Sequence, residues 1–253
     1  MSQSEAVCVI PARLESTRFP RKLLQTINGK PLLQYVYENA KKAKRVGRVI
    51  VACDHELLKK SVESFGGDAM LTSPKHNSGT ERIAEVAHTL QCKYVVNLQG
   101  DEPLMPGEVI DQVVIALERD SSCVMSTACI RKNDPEEYKN PNVVKVTKDK
   151  SGWALYFSRS PLPHDRDGKS YEFFKHLGIY GYQREFLLQF PNLAASSLEQ
   201  REKLEQLRAL ENGYRIKLVE TIHDSIGVDT EADFRRVQEL LTLRTSKVGA
   251  PHA

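Results

Sequence analysis

The sequence predicts an α/β fold built on a doubly wound, mostly parallel sheet. Three observations carry that prediction. Short, predominantly apolar runs at residues 6–10, 48–53 and 94–98 read as strands covered on both faces. Stretches with apolar residues at helical spacing separate them. Polar residues stand directly after the first and third runs, where an open α/β sheet keeps its ligands.

The first strand, 6–10, leads into a cationic loop. Arg13, Arg18, Arg21 and Lys22 fall within ten residues, with Ser16 and Thr17 between them and only Glu15 in opposition. Pro11 and Pro20 argue against a continuous helix here. Guanidinium forks match phosphate oxygens bidentately, and lysine adds a compact point charge. Neither G-x-x-x-x-G-K-[ST] nor G-x-G-x-x-G occurs, so side chains rather than a glycine nest would hold a polyphosphate. A solvated basic loop explains the same four cations, and the loop alone leaves that choice open.

Asn28-Gly29 marks a turn, and Pro31 opens a helix with Leu32, Leu33, Val36, Tyr37 and Ala40 on one face. The strand at 48–53 ends at Asp54. A helix over 55–65 stops at Gly66-Gly67, and a short strand follows at 69–72. The polar segment 73–82, SPKHNSGTER, precedes a helix to about residue 90, capped by Ser78 or Thr80. Strand 94–98 runs into Gln99-Gly100-Asp101-Glu102-Pro103, and a helix over 106–118 and a strand over 124–130 come next.

From Asp134 the rhythm changes. Strands are expected at 143–147 and 153–157, and the proline-bearing stretch 158–170 is the candidate for an insertion, lid or subunit contact. Residues 175–182 read as a strand in which Gly178 and Gly181 permit close backbone approach. A capping box at 197–200 opens a helix expected to end near Gly213, with Leu204, Leu207 and Leu210 as its apolar stripe. Glu202 and Gln206 would share its polar face, with Glu205 nearby. A strand at 215–221, a turn at 226–230 and a helix over 231–242 complete the fold. Residues 1–245 are expected to form one domain, and 246–253 a frayed tail.

Length and composition narrow the function. A chain of 253 residues suits one large α/β domain. Its net charge of +3 is too small to suggest a nucleic-acid binder, and no run approaches the roughly 20 apolar residues of a membrane span. No secretory pattern is read at the start, so a cytoplasmic protein is expected. Cys8, Cys53, Cys92, Cys123 and Cys129 are odd in number and lack C-x-x-C spacing, which speaks against a disulfide framework or a zinc site. Asp101 and Asp229, each after an apolar segment, are ordinary turn or cap residues when taken singly. Beside a cationic loop they suggest Mg²⁺ held between carboxylates and a phosphate chain, and hence phosphoryl or nucleotidyl transfer.

The ordered set IPARLESTRFPRKLL, HNSGTER, NLQGDEP, LYFSRSPLP, KHLGIYGY, LEQREKLEQLRALENG and GVDTEADF closely resembles the 3-deoxy-manno-octulosonate (Kdo) cytidylyltransferases over residues 6–240. The resemblance implies a nucleotidyltransferase fold of the Rossmann-like, nucleotide-diphospho-sugar transferase type. It also implies the reaction of CTP with Kdo to give CMP-Kdo and pyrophosphate for lipopolysaccharide biosynthesis. By similarity, Arg13, Arg18 and Lys22 contact the CTP phosphates, with Ser16, Ser78 and Arg82 beside the nucleotide. Asp101 and Asp229 match magnesium ligands and, with Arg18 and Lys22, the catalytic set. Gln99, Arg159, His176, Tyr180, Glu205 and Gln206 match positions on the sugar-acid side. The family is typically homodimeric, with residues 134–190 as the sugar-binding and dimerisation region. Gln183 departs from the family, which commonly has arginine there, so an ionic contact is expected to be lost. The 8-amino analogue of Kdo fits the same residues, and a sialic acid cytidylyltransferase or a CTP-binding regulatory module are the competing readings.

Overall fold

Alternation along the first strand sets the layers of the fold. In this computed structural model, which describes residues 5–248 except Lys169, β1 (Ala6–Ala12) is buried along its whole length. Its even-numbered residues pack into one apolar layer, and Val7 and Val9 into another on the opposite face.

The chain continues through a 3₁₀ turn at Lys22–Leu24 and a small hairpin, β2 (Thr26–Ile27) and β3 (Lys30–Pro31). Next come α1 (Leu32–Ala40), β4 (Val46–Cys53), α2 (Glu56–Ser64), β5 (Ala69–Leu71) and α3 (Gly79–His88). β6 (Tyr94–Leu98), α4 (Gly107–Arg119), β7 (Met125–Asn133) and α5 (Pro135–Lys139) follow. β8 (Lys145–Lys148), β9 (Ala154–Ser158), β10 (Glu172–Gln183) and α6 (Arg184–Gln189) form the next stretch. The chain ends with α7 (Ser197–Glu202), α8 (Gln206–Glu211), β11 (Ile216–Thr221) and α9 (Glu231–Val248).

The main sheet runs β11-β7-β10-β6-β1-β4-β5. β1 pairs in parallel with both β4 and β6, and β7 with β11, whereas β10 is antiparallel to β6 and β7. The chain leaves β1 toward β4 and β5, then crosses back to β6 on the other side. That reversal opens a crevice at the carboxyl ends of β1 and β6. One apolar layer packs α1, α2, α4 and α9 on the sheet. The other packs α3, α6 and α8, with β8 and β9 at its edge. Both faces are covered, as the apolar strand runs require.

Three expectations need correction. The helix expected over 197–213 is two short helices. Lys203 adopts a left-handed conformation at φ 53° and ends α7, so Glu202 and Gln206 do not share a helical face. Its N-cap is Ser196 rather than Ser197, with the hydroxyl accepting from the Glu199 N–H. The last helix runs to Val248 instead of 242, so 246–248 are helical, and the remainder of the expected tail, 249–253, lies outside the described residues. All five cysteines are free, four of them buried as small apolar side chains.

Candidate active site at the sheet's switch point

β1 ends at Ala12, and the loop that follows is tied at once to the neighbouring strand. The Leu14 N–H donates to the Asp54 carboxylate at 2.9 Å, and the Asp54 N–H to the Ala12 carbonyl at 3.2 Å. The loop returns through Arg21, left-handed at φ 52°, into the 3₁₀ turn that buries Leu23 and turns Lys22 inward. Gly100 lets this happen. A Cβ there would stand 2.8 Å from the Pro11 carbonyl and 3.4 Å from Leu23.

The Lys22 ammonium donates to Asp101 at 2.5 Å, to Asp229 at 3.2 Å and to the Val228 carbonyl at 2.8 Å. The Val228 N–H donates to the Asp101 carbonyl at 2.9 Å, which fixes the 226–230 turn against the end of β6. Burial alone would lower the Lys22 pKa, but the two carboxylates more than offset it and hold it above its ordinary value. Arg18 pairs with the other oxygen of Asp229 at 3.1 Å and is otherwise open to solvent. Arg13 donates to the His76 carbonyl at 3.2 Å, joining the loop to the segment before α3. Arg21 faces outward.

Around these groups lies a cleft of about 470 Å³, lined among others by Arg13, Ser16, Arg18, Lys22, Ser78, Gln99 and Asp101. Ser78 caps α3, accepting from the Glu81 N–H at 3.1 Å. Gly79 brings that helix end against β1, since a Cβ would lie 3.3 Å from Pro11. Thr17, Asn77, Gly79 and Gly100 line the cleft without having been singled out from the sequence as site residues. A second cleft at the amino ends of the strands, about 730 Å³, is lined by Lys93, Glu118, Gln183 and Arg184. It holds none of the expected site residues, so size alone would select the wrong end of the sheet.

The sugar-side candidates divide. His176 packs edge-on against Phe157 and beside Tyr180, with Nε2 3.0 Å from the Thr127 hydroxyl. Desolvation pushes its pKa down to about 3, so the ring is neutral. Burial also raises the Tyr180 hydroxyl well above its ordinary value. Glu205 is drawn to the start of α3, where the Thr80 hydroxyl donates to it. Burial raises its pKa, and hydrogen bonds from Thr80 and Ser78 partly offset the rise. Arg159 instead spends its guanidinium on backbone carbonyls of Glu202, Pro141 and Lys203, at 2.8, 3.1 and 3.4 Å. Gln206 is buried, with its amide nitrogen lacking a hydrogen-bond partner among the described residues.

Arg82, expected beside the nucleotide, lies beneath the cleft with no exposed surface. Its Nη1 donates to the Thr72 hydroxyl at 2.6 Å and the Ser73 carbonyl at 3.2 Å, and Nη2 stands 3.8 Å from Asp54. It therefore supports the aspartate that ties down Leu14. Helical spacing is the reason: three residues past the Ser78–Gly79 start, the side chain of Arg82 turns toward the sheet. Glu102, not singled out either, sits behind Asp101 and accepts from the Ser225 hydroxyl. Burial pushes its carboxyl up to about 7. Gln183 makes no ion pair; its amide donates to the Ser121 and Cys123 carbonyls at 2.9 and 3.0 Å and pins the loop before β7.

Comparison with known proteins places the chain in a family. The model of the family described as "Cytidylyltransferase" matches residues 7–221. The 3-deoxy-manno-octulosonate cytidylyltransferase of Geotalea daltonii is 50% identical over 244 residues, covering 92% of this chain and 96% of its own. That of Geotalea uraniireducens is also 50% identical, covering 92% and 97%. A solved CMP:2-keto-3-deoxy-manno-octonic acid synthetase complexed with CTP superposes with a TM-score of 0.90 at 39% identity, covering 94% of this chain and 99% of that one. On this fold, with this likeness along nearly its whole length, the chain belongs to the 3-deoxy-manno-octulosonate cytidylyltransferase family of nucleotidyltransferases.

Proposed function

We propose that the chain transfers a cytidylyl group from CTP to Kdo, releasing pyrophosphate, and that its product serves lipopolysaccharide assembly in a bacterial cytoplasm. One observation carries the reading. Asp101 and Asp229, from distant parts of the chain, converge on one cationic nitrogen beneath a cationic loop at the sheet's switch point. The family membership and the CTP complex of the solved relative support the same nucleotide.

The residues present fit a magnesium ion. Two carboxylates and the Val228 carbonyl form an all-oxygen donor set already gathered around a positive charge. Among the described residues no group of three or more His, Cys, Asp or Glu is assembled for a metal, so phosphate oxygens and water would complete the shell. Asp101 and Asp229 would hold Mg²⁺, which when bound neutralises phosphate charge and acidifies a coordinated hydroxyl.

Arg13 and Arg18 present guanidinium donors to the triphosphate, and Lys22 exchanges its carboxylates for phosphate oxygens as CTP enters. Ser16 and Ser78 add hydroxyls along the same wall. Gln99, neutral His176, Tyr180 and Glu205 orient the sugar acid by hydrogen bonds. Its anomeric hydroxyl attacks the α-phosphorus in line, forming the new P–O bond as the bond to pyrophosphate breaks and the hydroxyl proton passes to water. No covalent enzyme intermediate is needed. Arg159 acts on this side by bracing the chain through its backbone carbonyls, and the buried Gln206 amide nitrogen, without a partner among the described residues, is left to donate to the sugar acid. A homodimer fits the 61% exposed Leu155 on β9, which among the described residues pairs only with β8. Sedimentation at micromolar concentration should give twice the chain mass, and a monomer would overturn the dimer.

The deciding assay measures pyrophosphate released from CTP and Mg²⁺ with Kdo, its 8-amino analogue or sialic acid. Release with Kdo is expected. No release with any of the three would sink the enzyme reading, and release with sialic acid alone would sink the substrate.

A further inference from the structure

The two halves of the cleft are joined underneath by buried polar side chains for which the proposed chemistry has no use. Thr80 is 2% exposed, Asn97 1% and Tyr182 1%. Each sits in a layer that is otherwise apolar, and a buried hydroxyl or amide there is costly unless it is paired. Asn97 and Thr80 pair with the two walls of the cleft, and Tyr182 packs between them. The Gln99 amide, in the cleft, donates to Asn97 Oδ1 at 3.0 Å. Asn97 and Thr80 both lie beside the Tyr182 hydroxyl and offset part of the rise that burial imposes on its pKa. The Thr80 hydroxyl in turn donates to Glu205, which Ser78 also reaches.

The placement follows from the elements. Asn97 lies on β6 and Tyr182 on its antiparallel neighbour β10, two positions apart in register, with Tyr180 opposite Asn97 and Tyr182 opposite Val95. Thr80 is in the first turn of α3, directly after the Ser78 cap, so the helix end that borders the nucleotide cleft also carries the group that holds Glu205. Glu205 is the N-cap residue of α8, two positions after the left-handed Lys203 that ends α7. The Thr80 hydroxyl, which donates to its carboxylate from α3, helps keep it aimed.

We propose that Thr80, Tyr182 and Asn97 form a buried strut of positioning residues, which holds Glu205 and Gln99 at the sugar-acid side and sets their geometry from the nucleotide-bordering end of α3. This rests on the reading that Glu205 and Gln99 face Kdo. None of the three touches a substrate; each acts through a residue that does. Removing one hydroxyl frees Glu205 to rotate while leaving the phosphate-facing cations untouched. The loss falls on one substrate.

Steady-state pyrophosphate release, with each substrate varied in turn, tests the strut in Thr80→Val, Thr80→Ser and Tyr182→Phe. Thr80→Val should raise KM for Kdo roughly tenfold, the size of one lost hydrogen bond to a charged group, with KM for CTP within about twofold. Thr80→Ser, which restores the hydroxyl, should return KM for Kdo to about the wild-type value. Tyr182→Phe keeps the ring and should raise KM for Kdo in the same direction but less. A merely structural role would lower thermal stability without splitting the two KM values. Equal rises for both substrates, no rise in either, or failure of Thr80→Ser to rescue would overturn the strut. No turnover by the wild-type chain would overturn the functional reading and the strut with it, whereas turnover with unsplit KM values overturns the strut alone.

Discussion

Lys22 is the residue on which the site turns. Its ammonium is held between two carboxylates that a divalent cation would also seek, and its raised pKa keeps it charged there. A group whose folded pKa exceeds its ordinary value of 10.5 contributes its stabilisation fully below that pH and loses it only above, so at neutral pH the pair is intact. If Asp101 and Asp229 hold Mg²⁺ as proposed, substrate entry exchanges one cation for another there. The phosphates supply the reason, because they offer Lys22 acceptors of higher charge than the acids it gives up. Lys22→Met should separate the two roles. Turnover should fall by about two orders of magnitude or more, the usual cost of removing a charge-stabilising donor. Mg²⁺ binding without nucleotide, read by calorimetry, should tighten about tenfold or more because a unit charge at contact distance has gone. Unchanged Mg²⁺ affinity would show that the ammonium and the metal do not compete.

At the level of elements, much of the molecule was legible because strands buried on both faces and capped helices leave plain signatures. The runs at 6–10 and 94–98 became β1 and β6, and of the two cap candidates, Ser78 and Thr80, it is Ser78 that caps α3. Where the sequence misled, a backbone choice overrode periodicity. The capping box and the stripe through Leu204, Leu207 and Leu210 read as one helix, yet a single left-handed lysine, Lys203, parts residues 197–202 from the stripe, and lysine carries no signal for that conformation. Arg82 was misplaced for a different reason: spacing does not say which side of a capped helix faces a ligand and which faces the sheet. Gly178 and Gly181 were rightly read as close-approach positions. At Gly181 a Cβ would stand 2.6 Å from Ser126 Oγ and 3.2 Å from the Val113 carbonyl, which that hydroxyl bonds at 2.8 Å. Gly181→Ala should thus break the bond and push β10 from α4, costing about 1–3 kcal/mol in urea unfolding. Wild-type stability would mean that β10 shifts freely, contrary to its pairing on both sides.

Taken as a whole molecule, the site is assembled from residues more than two hundred positions apart, and the end of the chain is what closes it. The family match stops at residue 221, yet Asp229 and Val228 lie beyond it and reach Lys22. They are held by α9, whose Val237 and Leu241 are buried in the same apolar layer as α1 and α4. The Asp233 carboxylate accepts from the Thr230 N–H at 2.9 Å and fixes the turn that carries Asp229. Phe234 then meets Phe19 of the cationic loop edge-on, with ring centroids 5.5 Å apart. One helix therefore steadies both sides of the proposed phosphate site, the acid on its own leading turn and the cations through Phe19. An aromatic pair of this geometry contributes roughly 0.5–1.5 kcal/mol beyond the area it buries. Phe234→Ala should cost about 2 kcal/mol in all, less than a fully buried phenylalanine would because Phe234 is only partly covered. Its sharper signature is kinetic: with the loop untethered, KM for CTP should rise several-fold while KM for Kdo stays near its wild-type value, the opposite split from that expected of Thr80→Val. Pyrophosphate release with each substrate varied in turn checks this. A rise in KM for Kdo alone would mean that α9 serves the sugar side and that the cationic loop holds its shape without it.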